Sequence, residues 1–245
     1  MDIAIVHVGN LSECLTATSL TTGLLQKYND AKISWVVKDA DAKNIFKYNK
    51  KIYKVFSLAE FYLDLPKKYD ILFNLTNKIQ FFPDNLFKIN KIMGSGTDEK
   101  IYDVAINDIL SGNKKINKSL FQIYYKMCGM SWAGEGYDIC YCPKNKQKKG
   151  TIGLSLGDVR LRDYVLNNLK MPYMKKWYIP NKKNILKKYE EINRCKHIIT
   201  DDYLTLNIAL SLKKYVYFTQ TVPCNYGIEM FGSGEIFNVP KEIFK

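Results

Sequence analysis

The residues best able to do chemistry sit in a few short stretches. The first is Val8-Gly9-Asn10-Leu11-Ser12-Glu13, directly after the apolar run Ile3-Ala-Ile-Val-His7. A glycine, an amide, a hydroxyl and a carboxylate follow one another where a strand gives way to a helix. Backbone N–H groups at such a turn attract anions and sugar hydroxyls. A carboxylate at a helix start is held ionised by the helix dipole, which suits a group that accepts a proton at neutral pH. The same residues also fit a plain turn, with Gly9 allowing positive φ or close approach, Ser12 as cap and Glu13 supporting the dipole. The second stretch is Gly157-Asp158-Val159-Arg160-Leu161-Arg162, which carries two of the chain's three arginines. Paired guanidinium groups can grip phosphate bidentately, or they can line a solvated helix face. The third is Cys140-Tyr-Cys142, whose thiols share one face of an extended segment. It lacks the spacing of a zinc site and reads as buried free thiols rather than metal ligands. His7 and His197, the two histidines, have no sequence neighbour that marks a metal or nucleophile site and are expected in core or surface roles.

Alternating strands and helices must position these groups. Strands are expected at 3–8, 33–37, 51–56, 69–74 and 91–94. A helix runs from Cys14 to Tyr28, with Leu15, Thr18, Leu20, Leu24 and Leu25 on or near one face, and a short one from Asp39 to Lys47. Gly94-Ser-Gly96 breaks the pattern. Ser119 to Gly129 reads as a helix with a glycine stop. Pro143-Lys-Asn-Lys-Gln-Lys-Lys-Gly150 is polar and charged, as a linker is. Beyond it the alternation restarts, with strands at 151–156, 175–179, 197–200 and 215–218. Helices are expected from the Gly157-Asp158 turn to about Lys170, over 184–194 and over 204–212. The expected division is residues 1–142, a linker at 143–150, and a second domain at 151–245. Two such α/β domains leave a cleft for a ligand.

Composition narrows the function classes. With 245 residues the chain holds one large domain or two small ones. The net charge of +13 comes almost wholly from lysine. That balance suits phosphates or anionic lipid, or it reflects lysine-rich coding alone. The lysines are dispersed, with no basic helix or finger spacing, so nucleic acid is not an expected partner. No apolar run reaches the roughly 18–20 residues of a membrane span. The start lacks a signal-peptide pattern, so a cytoplasmic protein is expected, with possible peripheral contact at an anionic membrane. The six cysteines, Cys14, Cys128, Cys140, Cys142, Cys195 and Cys224, would then be reduced.

The stretch Val8 to Glu13, followed by Cys14-Leu15-Thr16-Ala17-Thr18, resembles the opening Leu-Gly-Asn-Leu-Gly-Asp turn and helix of the family 9, heptosyltransferase-like glycosyltransferases. Ala31-Lys-Ile-Ser-Trp35-Val36-Val37 is similar to that family's second strand, and Tyr69 to Leu75 to its fourth. Leu120 to Gly129, with Tyr137-Asp138, resembles its run into the interdomain linker. Thr200-Asp-Asp202, with Leu206-Asn207-Ile208-Ala209, resembles its nucleotide-sugar motif. The sequence departs from the family at Glu13 for Asp, Leu204 for Gly and Asn207 for His. It is also shorter, mostly between 157 and 195.

The resemblance implies an α/β fold of two Rossmann-like domains facing a cleft, the GT-B type, with the second domain reduced. It implies an inverting, metal-independent transfer of a sugar from a nucleotide-diphosphate donor, ADP-heptose in the first instance, to a surface-glycan or lipopolysaccharide-like acceptor. No cofactor is expected beyond the nucleotide sugar. Glu13 takes the place of the family's catalytic Asp. Gly9, Asn10, Ser12 and Thr18 belong to the turn and acceptor side. Thr18 can equally bond its own helix backbone. Arg160, Arg162, Asp202, Thr205 and Asn207 belong to the donor and its phosphates, with Asp202 also able to cap its helix. The departures favour a second reading, a catalytically degenerate member that binds glycan or nucleotide as a scaffold. A transferase with a similar C-terminal domain, such as a polysaccharide pyruvyl transferase, fits the N-terminal turn less well.

Overall fold

The computed structural model describes residues 1–63, 68–75, 88–94, 119–168, 174–180, 184–220 and 234–238. Ser95, Gly96, Lys170 and Cys224, which enter the sequence reading, lie outside the described residues. The chain divides into two compact units, Met1–Tyr141 and Cys142–Lys245.

The first unit is built on β1 (Asp2–His7), β2 (Lys32–Val37), β3 (Ile52–Ser57), β4 (Lys68–Asn74) and β5 (Lys88–Gly94). They form one sheet in the order β3-β2-β1-β4-β5, with every pairing parallel. Ile3, Ala4, Ile5 and Val6 are all buried, as a central parallel strand covered on both faces requires. On one face Ala4, Val6, Val36, Phe56, Phe61, Tyr69 and Leu72 form a cluster. Trp35 stacks on Phe46 at 4.5 Å between ring centres and donates from Nε1 to Thr21 Oγ1 at 3.1 Å.

The helix expected over Cys14 to Tyr28 is two helices, α1 (Leu11–Ala17) and α2 (Leu20–Lys27). Hydroxyls interrupt it. Thr18 Oγ1 donates to Leu15 O at 2.6 Å and Ser19 Oγ to Thr16 O at 3.1 Å. Such back-bonding competes with the helical ladder. The remaining helices are α3 (Ala40–Phe46), α4 (Leu58–Leu63) and α5 (Leu120–Met127). Ser119 and Gln122 form a reciprocal capping box at the start of α5.

The second unit contains β6 (Thr151–Ser155), α6 (Val159–Asn168), β7 (Lys175–Tyr178), α7 (Ile185–Asn193), β8 (His197–Thr200), α8 (Tyr203–Ser211), β9 (Tyr215–Gln220) and β10 (Gly234–Asn238). Its sheet runs β10-β9-β8-β6-β7, again all parallel. Ile152, Leu154, Leu161, Val165 and Ile199 form a core between β6, β8 and α6. Helix α8 is buried from Thr205 to Leu210, so it is an interior helix rather than a surface one. The polar stretch 143–150 is tied to this unit. The Lys144 and Asn145 amides donate to Glu190 at 2.9 Å each, and the Lys148 amide to Arg194 O at 2.8 Å.

Candidate functional site

Open parallel sheets bind ligands beyond the carboxyl ends of the strands, where the strand order reverses. In the first unit that place lies between β1 and β4. In the second it lies between β6 and β8. The chemistry-bearing turns fall at these two places.

At the end of β1, Asn10 is the N-cap of α1, not Ser12. Its Oδ1 accepts the Glu13 amide at 2.9 Å, and its Nδ2 donates to Glu13 Oε1 at 2.7 Å. The cap moves because Asn10 has the extended backbone a cap needs (φ −70°, ψ 166°), while Ser12 is already inside the helix. The Glu13 carboxylate folds back over Gly9. A Cβ at Gly9 would run into Glu13 Oε2 and lie 2.7 Å from His7 Cε1. Glycine here serves close approach, since its φ is not among the positive ones. Burial raises the Glu13 carboxyl above the ordinary range, and the two bonds from Asn10 hold part of that rise back.

His7 takes the core role, one of the two expected of it. It is 1% exposed, and its Nε2 lies 3.1 Å from Tyr124 Oη. Burial lowers its pKa to about 4, so it is neutral at pH 7. A neutral imidazole leaves the Glu13 carboxylate without a counter-charge on that side.

Ser12 is half-buried, and its carbonyl accepts Thr16 Oγ1. Thr18 is fully buried. Besides its bond to Leu15, its Oγ1 accepts the Asp138 amide at 3.1 Å. Thr18 is therefore a packing residue that secures the segment around Asp138. Lys51 Nζ, 3.2 Å from both Asp138 carboxylate oxygens, and Thr22 Oγ1, 2.9 Å from one, complete that anchor.

The second unit has a pocket of about 360 Å³ at its switch point. Leu154, Ser155, Leu156 and Gly157 from the end of β6 line it, with Tyr178 and Ile179 from the end of β7 and Asp201 and Asp202 from the end of β8. Arg162 and Lys188 reach it from α6 and α7. Asp202 caps α8, accepting the Leu204 and Thr205 amides at 3.3 and 3.0 Å and Thr205 Oγ1 at 2.6 Å. Lys188 Nζ donates to Asp202 Oδ2 at 2.7 Å. Burial pushes the Asp202 carboxyl up, but the bonds from Lys188 and Thr205 outweigh it and leave it below the ordinary range. Asp201 accepts the Gly157 amide on both oxygens, at 3.3 and 3.1 Å. Burial raises its carboxyl, only partly offset by that amide.

The sequence-derived donor residues separate here. Arg162 and Asp202 line the pocket. Arg160 turns to Asp158, with Nη2 3.1 Å from Oδ2. Thr205 is buried behind the pocket, 3.1 Å from Ser155 Oγ. Asn207 is buried farther along α8, and Leu204 is half-buried and not among the lining residues. Tyr178, Ile179, Lys188 and Asp201 were not singled out from sequence. The strand-end rule would have found Tyr178, Ile179 and Asp201.

Among the described residues no group of three or more His, Cys, Asp or Glu side chains could hold a metal ion. Asp39 and Asp41 have an Asp-x-Asp spacing, but Asp39 caps α3 through the Ala42 amide. Among the described residues no helix is long and apolar enough to cross a membrane.

No protein-family profile matches the chain, and no curated protein matches it. Solved structures do. The Escherichia coli heptosyltransferase WaaC with ADP-2-deoxy-2-fluoro heptose aligns with a TM-score of 0.67 at 13% identity, over 98% of this chain and 94% of that one. The Veillonella parvula DSM 2008 family 9 glycosyl transferase aligns with a TM-score of 0.63 at 12% identity, over 97% and 86%. The Escherichia coli ADP-heptose lps heptosyltransferase II gives 0.63 at 9% identity, over 98% and 91%. At these identities the likeness is one of fold. The chain has the two-unit α/β fold of GT-B type seen in those structures.

Proposed function

We propose that this chain is an inverting, metal-independent glycosyltransferase related to family 9. Its first unit supplies the base and its second unit binds a nucleoside-diphosphate sugar. The acceptor hydroxyl gives its proton to Glu13 as its oxygen bonds to the anomeric carbon. The bond from that carbon to the diphosphate oxygen breaks on the opposite face, and the diphosphate leaves with the electron pair. Burial makes Glu13 a stronger base than a solvated glutamate. Arg162 is the pocket cation offered to the donor, and Asn10 sets the direction of the base. The donor to test first is ADP-heptose, the sugar nucleotide named for the Escherichia coli heptosyltransferase II of like fold. The acceptor is a surface glycan or glycolipid, and the lysine-rich surface would favour approach to an anionic membrane from the cytoplasmic side.

The observation that carries this reading is the Glu13 carboxylate, held over Gly9 at the switch point of the first sheet. The test is turnover of ADP-, UDP- and GDP-sugars by the wild type and by Glu13→Gln. Loss of a measurable rate in the variant, with nucleotide affinity unchanged, is expected. Equal rates would remove Glu13 from the reaction.

One observation favours the second reading, a nucleotide- or glycan-binding scaffold without turnover. The amides at the start of α8 are already taken by Asp202. Binding of nucleotide with no turnover of any of these sugars would decide for it.

A further inference from the structure

The chain runs without a bend or turn from Glu135 to Pro143 and belongs to no helix or strand there. From Ile139 onward its exposure alternates. Cys140 and Cys142 are exposed, while Ile139, Tyr141 and Pro143 are half-buried. A period of two is the mark of an extended chain with one row of side chains in water. The inner row and both flanks are fastened. The Tyr141 ring centre lies 5.3 Å from that of Tyr48. Upstream, the Asp138 amide donates to Thr18 Oγ1 and its carbonyl accepts Asn49 Nδ2. Downstream, the Lys144 and Asn145 amides donate to the Glu190 carboxylate, and Asn193 Nδ2 donates to Asn145 O at 2.7 Å. Two thiols thus stand in one outward row on a backbone held at both ends. Buried thiols would be closed to an ion from solvent, but both of these are open to it.

Spacing decides what such a pair can bind. Alternate residues of an extended chain lie roughly 6.6–7 Å apart. A disulfide brings Cβ atoms to about 3.8 Å, so closing one here requires the backbone to bend. One ion between two thiolates holds the sulfurs about 4.6 Å apart when its bonds are in line, at about 2.3 Å per metal–sulfur bond. Side chains leaning toward each other reach that span with the backbone as it stands. Structural zinc takes four ligands, and among the described residues no group of three or more His, Cys, Asp or Glu side chains could hold an ion. Monovalent copper is soft and selects thiolates, and two of them in line satisfy it.

We propose that Cys140 and Cys142 form a two-thiolate site for Cu(I). Binding releases the two thiol protons, and the bis-thiolate complex carries one negative charge. Lys144 and Lys146, exposed just beyond the pair, offset that charge. The site is independent of the sugar transfer proposed above.

The test is titration of the reduced full chain, in the absence of oxygen, into the coloured Cu(I)–ferrozine complex. The chain should withdraw one copper per monomer, and native mass spectrometry should show the same ratio. X-ray absorption at the copper edge should show two sulfur neighbours. Cys140→Ser and Cys142→Ser should each weaken uptake by about 10²–10⁴-fold, the gain from a second linked ligand. Both side chains are exposed, so the variants should melt with the wild type when metal-free. Cys224→Ser should leave uptake unchanged. Undiminished ferrozine colour, a single serine variant that binds as tightly as the wild type, uptake that survives when both cysteines are replaced, or one copper shared between two chains would each overturn the site.

Discussion

Asn10 holds Glu13 in two ways that can be separated. Its Oδ1 caps α1 through the Glu13 amide, and its Nδ2 donates to the Glu13 carboxylate. Asn10→Ala removes both. Loss of the cap costs about 1 kcal/mol, and the i,i+3 side-chain bond adds a few tenths. The first unit should then melt roughly 3–5 °C lower. The second effect is on the proton. A bond to the ionised form is lost, so the carboxyl, already raised by burial, rises further. The acid limb of the pH–rate profile therefore moves to higher pH. Asn10→Asp separates the two effects. Aspartate caps as well as asparagine and suits the helix dipole, so the melting loss should be well below that of Asn10→Ala. Yet a second carboxylate now faces Glu13, and its titration should rise beyond that in Asn10→Ala. Thermal unfolding reads the first effect. Carboxyl carbon NMR, with the Glu13 signal assigned by Glu13→Gln, reads the second without any need for turnover. If both variants melt alike, or the Glu13 titration stays where it is in both, Asn10 does not govern this carboxylate and the account of the turn is wrong.

Other expectations follow from contacts in both units. Lys188→Met leaves Asp202 without its 2.7 Å cation. It should cost about 1–3 kcal/mol at pH 7. The lowered Asp202 carboxyl stabilises the fold above the unfolded value near 4. That increment is lost as pH falls through the folded value, so acid unfolding curves of variant and wild type should converge. Gly23→Ala would place a Cβ 2.7 Å from Tyr125 Cε1 and 2.8 Å from its Oη, pressing on the ring that bonds Ser19 O. A net loss of about 1–3 kcal/mol is expected despite the better helix former, and a gain in urea unfolding would contradict the packing. Cys14, Cys128 and Cys195 are buried, whereas Cys140 and Cys142 are exposed, contrary to the burial expected of them, because residues 140–142 form no strand packed into a sheet. Burial pushes Cys195 up to about 11 and raises Cys14 and Cys128 as well. Alkylation followed by peptide mass mapping should label Cys140 and Cys142 in the native chain, and the three buried thiols only after unfolding.

What could be read from the residues was whatever their local order dictates. The run Ile3 to Val6 is apolar throughout because β1 is covered on both faces, and such runs are visible in a sequence. Asp202 at the head of α8 was legible for the same reason, since capping is a local property. The split between α1 and α2 was not read because three hydroxyls at Thr16, Thr18 and Ser19 look harmless in a periodic pattern. His7 and Tyr124 meet across 117 positions, and no local pattern announces that pair. Arg160 and Arg162 look equivalent in sequence. Each meets a neighbouring carboxylate, Arg160 at Asp158 and Arg162 at Asp163, and Arg162 alone of the two lines the pocket. Lys188 gains meaning only once its helix stands beside the ends of β6 and β8.

The central place of β1 has a consequence during synthesis. Its partner on one side, β2, is made soon after it, but β4 begins only at Lys68. At roughly 5–20 residues per second, an apolar ribbon with one unpaired edge waits several seconds on the nascent chain. β6 repeats the situation, pairing with β8 only when residues near His197 arrive. Slowed translation between residues 37 and 68 should lengthen the first wait and raise the yield of insoluble chain, an outcome set by the order of strand pairing rather than by final stability.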